Sequence, residues 1–396
     1  MGLIKWSRRS RRNRWIFGSL IALLVIVVLF VALSVAIAVS PEFGAWGSDV
    51  LRHVVGERAT MAIEGFFLTI ADSFHRLGTY LGIGDAENPF AESADDAAAG
   101  ATTTTLATAE PQWEPAAVEP LGTLKNEGVW QPYLVDPSGQ TVGYRTALQP
   151  DRKRLYGLAA VVAMDLAHTR LHFVLGYEEP YSKSKFPRPG AIPESELQSG
   201  AVLAAFNGGF KASNGHFGAM QDGNVALPAK WGLGTLVIYK DGRVAIGAWG
   251  KDLTDSPDME SWRQNGPLLI SDGQMTPEVH SSDAHVWGEI YEGGIGEWRS
   301  AVGVSKDGRT LYFIVGPGLT TPGLAQATLQ AGAWDAIQLD INQSWTRFYR
   351  IVVSNGQASC EPLMNGIIKN NRLVHPYSRD FFYLTSADQG AQTPVP

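Results

Sequence analysis

The chain has 396 residues, 45% of them hydrophobic, and a formal net charge of −7 at neutral pH. An acidic balance whose clustered basic residues lie between Lys5 and Arg14 argues against a nucleic-acid binder. A single cysteine, Cys360, excludes a disulfide framework and a cysteine-based zinc site, while the length leaves room for a sizeable core.

Residues 1–15 form a basic segment, and an apolar run from Ile16 to Val39 follows, interrupted by Gly18, Ser19 and Ser34. A helix of about 20 apolar residues crosses a bilayer, and flanking Lys and Arg stay on the cytoplasmic side. Residues 16–39 are therefore expected to be a transmembrane anchor, with the N-terminus inside and the chain beyond Pro41 extracytoplasmic. The small residues of "AIAVS" (36–40) would suit signal cleavage, but the apolar run exceeds a secretory core of about 7–15 residues, so an uncleaved anchor is preferred. Residues 40–87 read as an amphipathic juxtamembrane region, with Val50, Leu51, Val54, Val55, Met61, Ile63, Phe66, Phe67, Ile70 and Phe74 at helical spacing. Packing of residues 48–83 against a second copy, as a homo-oligomer, is one use of such a face. Residues 88–120, rich in Ala, Thr, Glu and Pro, read as a flexible linker.

Residues 121–390 read as one domain. The apolar runs 158–166 and 170–177 suggest a hairpin, and 234–249 and 300–316 suggest two more around Asp241-Gly242 and Asp307-Gly308. A helix is expected over 321–334, opened by Pro322 and closed near Gly332. The class is α+β: a mixed, largely antiparallel sheet with short helices, preceded by one transmembrane helix and a helical stalk.

Four stretches place polar residues or glycines beside apolar strands. They are "FNGGFKASNGHF" (206–217), "RQNGPLLISDGQ" (263–274), "WRSAVGV" (298–304) and "AIQLDINQSW" (336–345). Each alone suits an ordinary turn. The cluster His280, Asp283 and His285 could bind a metal but has no obvious third strong ligand, and His168 and His172 read as structural. Phosphate-binding loops, dinucleotide fingerprints and serine-nucleophile elbows are absent from the sequence.

In this order the four stretches resemble the phosphodiester glycosidase family, domains like that of N-acetylglucosamine-1-phosphodiester alpha-N-acetylglucosaminidase. The matching residues are Asn207–Phe210, Gly266–Gly273, Arg299–Gly308 and Pro322–Ser344, within a span of roughly Gly128 to Tyr383. Many members continue the final Leu-Asp with glycines. Here Ile341 and Asn342 stand in their place, as in a branch of bacterial envelope proteins that this chain resembles.

The resemblance implies a membrane-anchored glycosidase acting on sugar-phosphodiester linkages of envelope polysaccharides, without cofactor or metal. Asp340 would be nucleophile, base or cation stabiliser, and Arg299 the phosphate clamp. Asn207, Gly208 and Gly209 would supply donors to the anion or the sugar. Asn342 would orient Asp340, His216 would donate a hydrogen bond or proton, Arg145 would line the site and Trp345 would stack on a sugar ring. The alternative is a non-catalytic glycan-binding or assembly module on the same fold.

Overall fold

The computed structural model describes Gly47, Val50, Leu51 and residues 53–81, 87–90, 113–281, 284–287 and 296–387. The expected anchor at 16–39 lies outside the described residues. Among the described residues, no helix is long and apolar enough to cross a membrane. The chain divides into two units, Met1–Thr60 and Met61–Pro396. In the first, Thr60 Oγ1 donates to the Gly56 carbonyl.

Helix α1 spans Glu57–Tyr80. In the second unit its Asp72 carboxylate receives Arg154 Nε at 2.9 Å and the Tyr156 hydroxyl. At either end of the expected linker the chain is packed: Phe90 is buried in the main core, and Trp113 and Val118 lie against a second one. Residues 91–112 between them lie outside the described residues.

Three sheets build the rest. The first has eight strands: β1 (Gln131–Val135), β2 (Thr141–Leu148), β3 (Ala159–Asp165), β14 (Thr310–Leu319), β13 (Glu297–Val304), β15 (Asp335–Ile341), β11 (Leu268–Ser271) and β12 (Gln274–Met275), in that spatial order. The second has five: β7 (Asn224–Leu227), β6 (Ala219–Gln221), β10 (Met259–Gln264), β8 (Gly234–Tyr239) and β9 (Val244–Ala248). The third runs β17 (Gln357–Pro362), β16 (Phe348–Ser354), β5 (Val202–Asn207), β18 (Phe381–Ser386) and β4 (Thr169–Val174). Neighbouring strands pair antiparallel, as at β13 with β14 and β15, and β18 with β4 and β5. Among the described residues α2 (Glu194–Ser199) and α3 (Thr321–Gln330) join α1, and residues 53–55 are helical as well.

The eight-stranded sheet is covered on both faces, which explains the unbroken apolar runs of its central strands. Val162, Val302, Phe313, Ile337 and Leu339 pack with Phe206, Phe348 and Phe382 of the third sheet and Leu236 of the second. Val161, Ala301, Ile314 and Ala336 face Leu324, Ala325 and Ala327 of α3 on the other side. Thr320 caps α3 by accepting from Gly323 N at 3.0 Å.

The two Asp-Gly hairpins form as expected, with Gly242 at φ 89° and Gly308 at φ 73°. The hairpin expected from 158–177 does not. β3 pairs with β2 and β14, whereas β4 pairs with β18 in another sheet. Asp165 explains the departure. Its carboxylate ties His168 Nδ1 at 2.8 Å and Arg309 Nε at 3.0 Å, so the turn delivers the chain from one sheet to the next.

Candidate functional site

The three sheets meet where β15, β5, β10, β13, β16 and β18 begin or end, and Asp340 stands at that junction. Backbone and side-chain bonds fix it there. Asp340 N donates to Gly208 O at 3.2 Å, and Ser300 Oγ donates to the Asp340 carbonyl at 2.7 Å. Ser300 in turn receives Asn207 Nδ2 at 2.9 Å, while Asn207 Oδ1 accepts from Arg347 N at 2.9 Å. Asn207 is thus a positioning residue joining β5, β13 and β16 behind Asp340.

The Asn-Gly-Gly turn has a different task from the anion cradle expected of it. Gly208 N donates to the Asp380 carbonyl, Gly209 N to Asp380 Oδ2 at 3.0 Å, and Phe210 N to Asn265 Oδ1 at 3.0 Å. These N–H groups therefore hold the protein together instead of facing a ligand. Glycine is required because of close approach: a Cβ at Gly208 would come within 2.3 Å of Asp380 Oδ2, and one at Gly209 within 2.9 Å of Arg263. Asp380 Oδ2 also receives Arg263 Nε at 2.7 Å, in a pair sealed from solvent. Arg263 continues to the carbonyls of Phe210, Phe217 and Gln264.

Arg299 corrects the expected phosphate clamp. Its side chain is wholly buried, with Nε on the Leu319 carbonyl at 2.8 Å and Nη1 on Gln338 Oε1 at 3.2 Å. It ties β13 to its neighbours and presents no surface to a ligand. Arg145 is also placed elsewhere, its guanidinium 4.5 Å from the ring centre of Phe90 and 5.0 Å from that of Tyr133. On β2 it stands four strand spacings from β15, about 19 Å.

The cations beside Asp340 are others. Arg379 pairs with Asp340 Oδ2, donates to the Gly209 carbonyl at 3.2 Å and lies 4.4 Å from the centre of the Trp345 ring. Lys211 Nζ lies 5.1 Å from the same ring. Trp345 thus has two cations beside its ring. Arg347 spans the adjoining turn, donating to the carbonyls of Ser344 and Trp345. Burial pushes Asp340 up to about 6, against the opposing pull of Arg379 and of the hydrogen bond from Ile341 N.

Asn342 shapes the turn rather than gripping Asp340. It adopts φ 78°, accepts Ser344 N on its side chain at 2.9 Å, and donates its own N–H to the Trp298 carbonyl. Ile341 is still in β15, buried with Phe210 and Phe217. The residue needing glycine-like freedom is position 342, where asparagine is well suited. His216 sits on an exposed turn beside Phe217, at φ 47°.

Arg379, Asp380, Arg263, Lys211 and Arg347 were not selected from the sequence. Lys211 directly follows "NGGF" and Arg379-Asp380 directly precedes the strand "FFYLTS", so adjacency to a strand end was the available signal. Asp283, of the possible metal cluster, lies outside the described residues. Among those described, no group of three His, Cys, Asp or Glu is arranged for a metal ion.

A cavity of about 820 Å³ opens at the far end of β4 and β18, lined by His168, Arg170, His172, Arg309 and Thr385. Its size does not make it the better candidate. Arg309 and His168 are engaged by Asp165, Arg170 by Glu260 at 2.6 Å, and His172 by Thr385 Oγ1 at 3.0 Å. Burial holds His172 down to about 4, keeping it neutral.

Residues 200–375 match the family model described as phosphodiester glycosidase, a narrower span than the motifs suggested. No curated protein matches. The solved catalytic domain of zebrafish N-acetylglucosamine-1-phosphodiester alpha-N-acetylglucosaminidase, auto-inhibited by its pro-peptide, is similar at 15% identity and a TM-score of 0.43. The match covers 65% of this chain and 88% of that one. A hypothetical protein from Synechocystis is similar at 13% identity and a TM-score of 0.38, over 65% of this chain and 62% of that one.

Proposed function

We propose, from the match of residues 200–375 to the phosphodiester glycosidase family, that this chain hydrolyses sugar-phosphodiester linkages at Asp340. The observation that carries the reading is one carboxylate, raised to about 6, set against Arg379 and Lys211 on the Trp345 ring. Cleaving a glycosyl phosphodiester creates positive charge at the anomeric carbon and leaves a phosphomonoester anion. Ionised Asp340 answers the first need. Arg379 and Lys211 answer the second, and Arg379 is the natural clamp because its planar fork matches two phosphate oxygens. The leaving phosphate is already stable as an anion, so the reaction makes little demand for a strong general acid.

In this reading a substrate phosphate competes with Asp340 for Arg379. Binding the anion therefore frees the carboxylate as the sugar arrives. Residues 16–39 anchor the chain, and the domain acts outside the membrane on envelope polysaccharides carrying such linkages. The apolar run and the Lys5–Arg14 cluster support that location.

One observation favours a second reading, a glycan-binding module. Asp340 is almost closed off, with Oδ1 accepting from Ile341 N at 2.9 Å and Oδ2 on Arg379. The test is release of sugar by the full chain in detergent from a panel of sugar 1-phosphodiesters, beside Asp340→Asn. Release that the variant abolishes supports hydrolysis. Absence of release, with glycan binding that survives the substitution, supports the binding module.

A further inference from the structure

We propose that the outward face of α1 lies on a lipid surface and holds the domain against it. Ile63, Phe66, Ile70, Phe74, Leu77 and Leu81 recur at spacings of three or four residues, which aligns them in one stripe of a helix. Phe66, Phe74 and Leu77 are 63%, 65% and 53% exposed. The stripe extends for about 27 Å at 1.5 Å per residue.

The opposite face is anchored. At about 100° per residue, Asp72 falls about 180° around the helix from Ile63. Asp72 is the residue that receives Arg154 and Tyr156, and the His75 ring lies 5.0 Å from that of Tyr156. The domain therefore holds α1 by its polar back and directs the apolar stripe away from itself.

Chain order selects the occupant. The apolar run that ends at Val39 is followed, after residues 40–56, by α1. Even at the helical rise of about 1.5 Å per residue a connection of that length spans roughly 25 Å, so a bilayer entered by residues 16–39 is within reach of the stripe. The proposal rests on reading 16–39 as an anchor. Tyr80, 86% exposed at the end of α1, suits the headgroup layer with its apolar ring and polar hydroxyl. A second copy is a poorer occupant. A two-stranded coiled-coil seam favours Leu, Ile and Val, and this stripe places Phe66 and Phe74 there.

The experiment uses the full chain with Cys360→Ser, reconstituted in vesicles of equal phosphatidylcholine and phosphatidylglycerol. A nitroxide is attached at Phe74→Cys, at Phe66→Cys, or at the exposed control Thr69→Cys. Severalfold greater collision with oxygen and lower collision with a water-soluble nickel chelate at 74 and 66 than at 69 is the expected result. Equal nickel access at all three positions, or spin–spin broadening between chains at 74, overturns it. A chain that does not sediment with the vesicles overturns the anchor reading as well. A retained chain with nickel-accessible labels at 66 and 74 overturns only the role of α1.

Discussion

The Asp340 carboxylate lies against the Arg379 guanidinium, and each side chain is only 6% exposed. Burial outweighs the cation: Asp340 is pushed up to about 6 although Arg379 favours its ionised form. The pair therefore carries a pH dependence as well as a geometry.

If ionised Asp340 is the reacting form, sugar release falls in acid with a midpoint near 6. Arg379→Gln removes the cation that lowers the Asp340 pKa, so the acid limb moves to higher pH. A pH–rate profile of both proteins measures the shift. An unmoved limb would show that Arg379 does not act on Asp340.

Stability should respond in the opposite sense to that of a carboxylate whose pKa is lowered by folding. Between about 4 and 6 the folded chain binds more protons at Asp340 than the unfolded chain, so this group favours folding in acid and loses that contribution as pH rises. Asn stands in for the protonated acid. Asp340→Asn is expected to exceed the parent by about 1–3 kcal/mol at about pH 8 and to match it below about pH 4. Urea unfolding at the two pH values checks the sign.

Positions 341 and 342 should show opposite tolerance for glycine. Asn342→Gly keeps the φ of 78° and should change stability by only a few tenths of a kcal/mol, whereas Asn342→Ala should cost about 1–2 kcal/mol. Ile341→Gly empties a site between Phe210 and Phe217 and should cost about 3 kcal/mol or more. Denaturant midpoints separate the three.

The Arg263–Asp380 pair offers a test of construction behind the site. Either Arg263→Met or Asp380→Leu leaves a buried charge without its partner and should destabilise by about 3–5 kcal/mol. The double substitution should recover part of that loss. A double-mutant cycle in urea gives the coupling, which should be near zero if the pair is incidental.

Much of the framework was legible because local patterns and tertiary demands agreed. Asp241-Gly242 and Asp307-Gly308 turn their hairpins, and Thr320 starts α3 beside Pro322. The 158–177 hairpin was misread because both strands are apolar throughout, a pattern that gives no information on which sheet each joins. The same limit applied at the site. Asp340 was visible as a carboxylate at a strand end, but its partner Arg379 comes from the loop that enters β18 of another sheet. Arg299 looked like a ligand-binding arginine because its sequence position says nothing of its complete burial.

Strand β18 lies between β5 and β4, and Arg379 and Asp380 immediately precede it. The carboxylate at residue 340 thus depends on a cation from the loop that enters β18. A chain still emerging, or cut short before residue 379, holds Asp340 without its guanidinium and Gly209 without its Asp380 anchor. Residues 379 and 380 are consequently the pieces that complete the site, and a fragment ending before them carries an unanswered carboxylate at its centre.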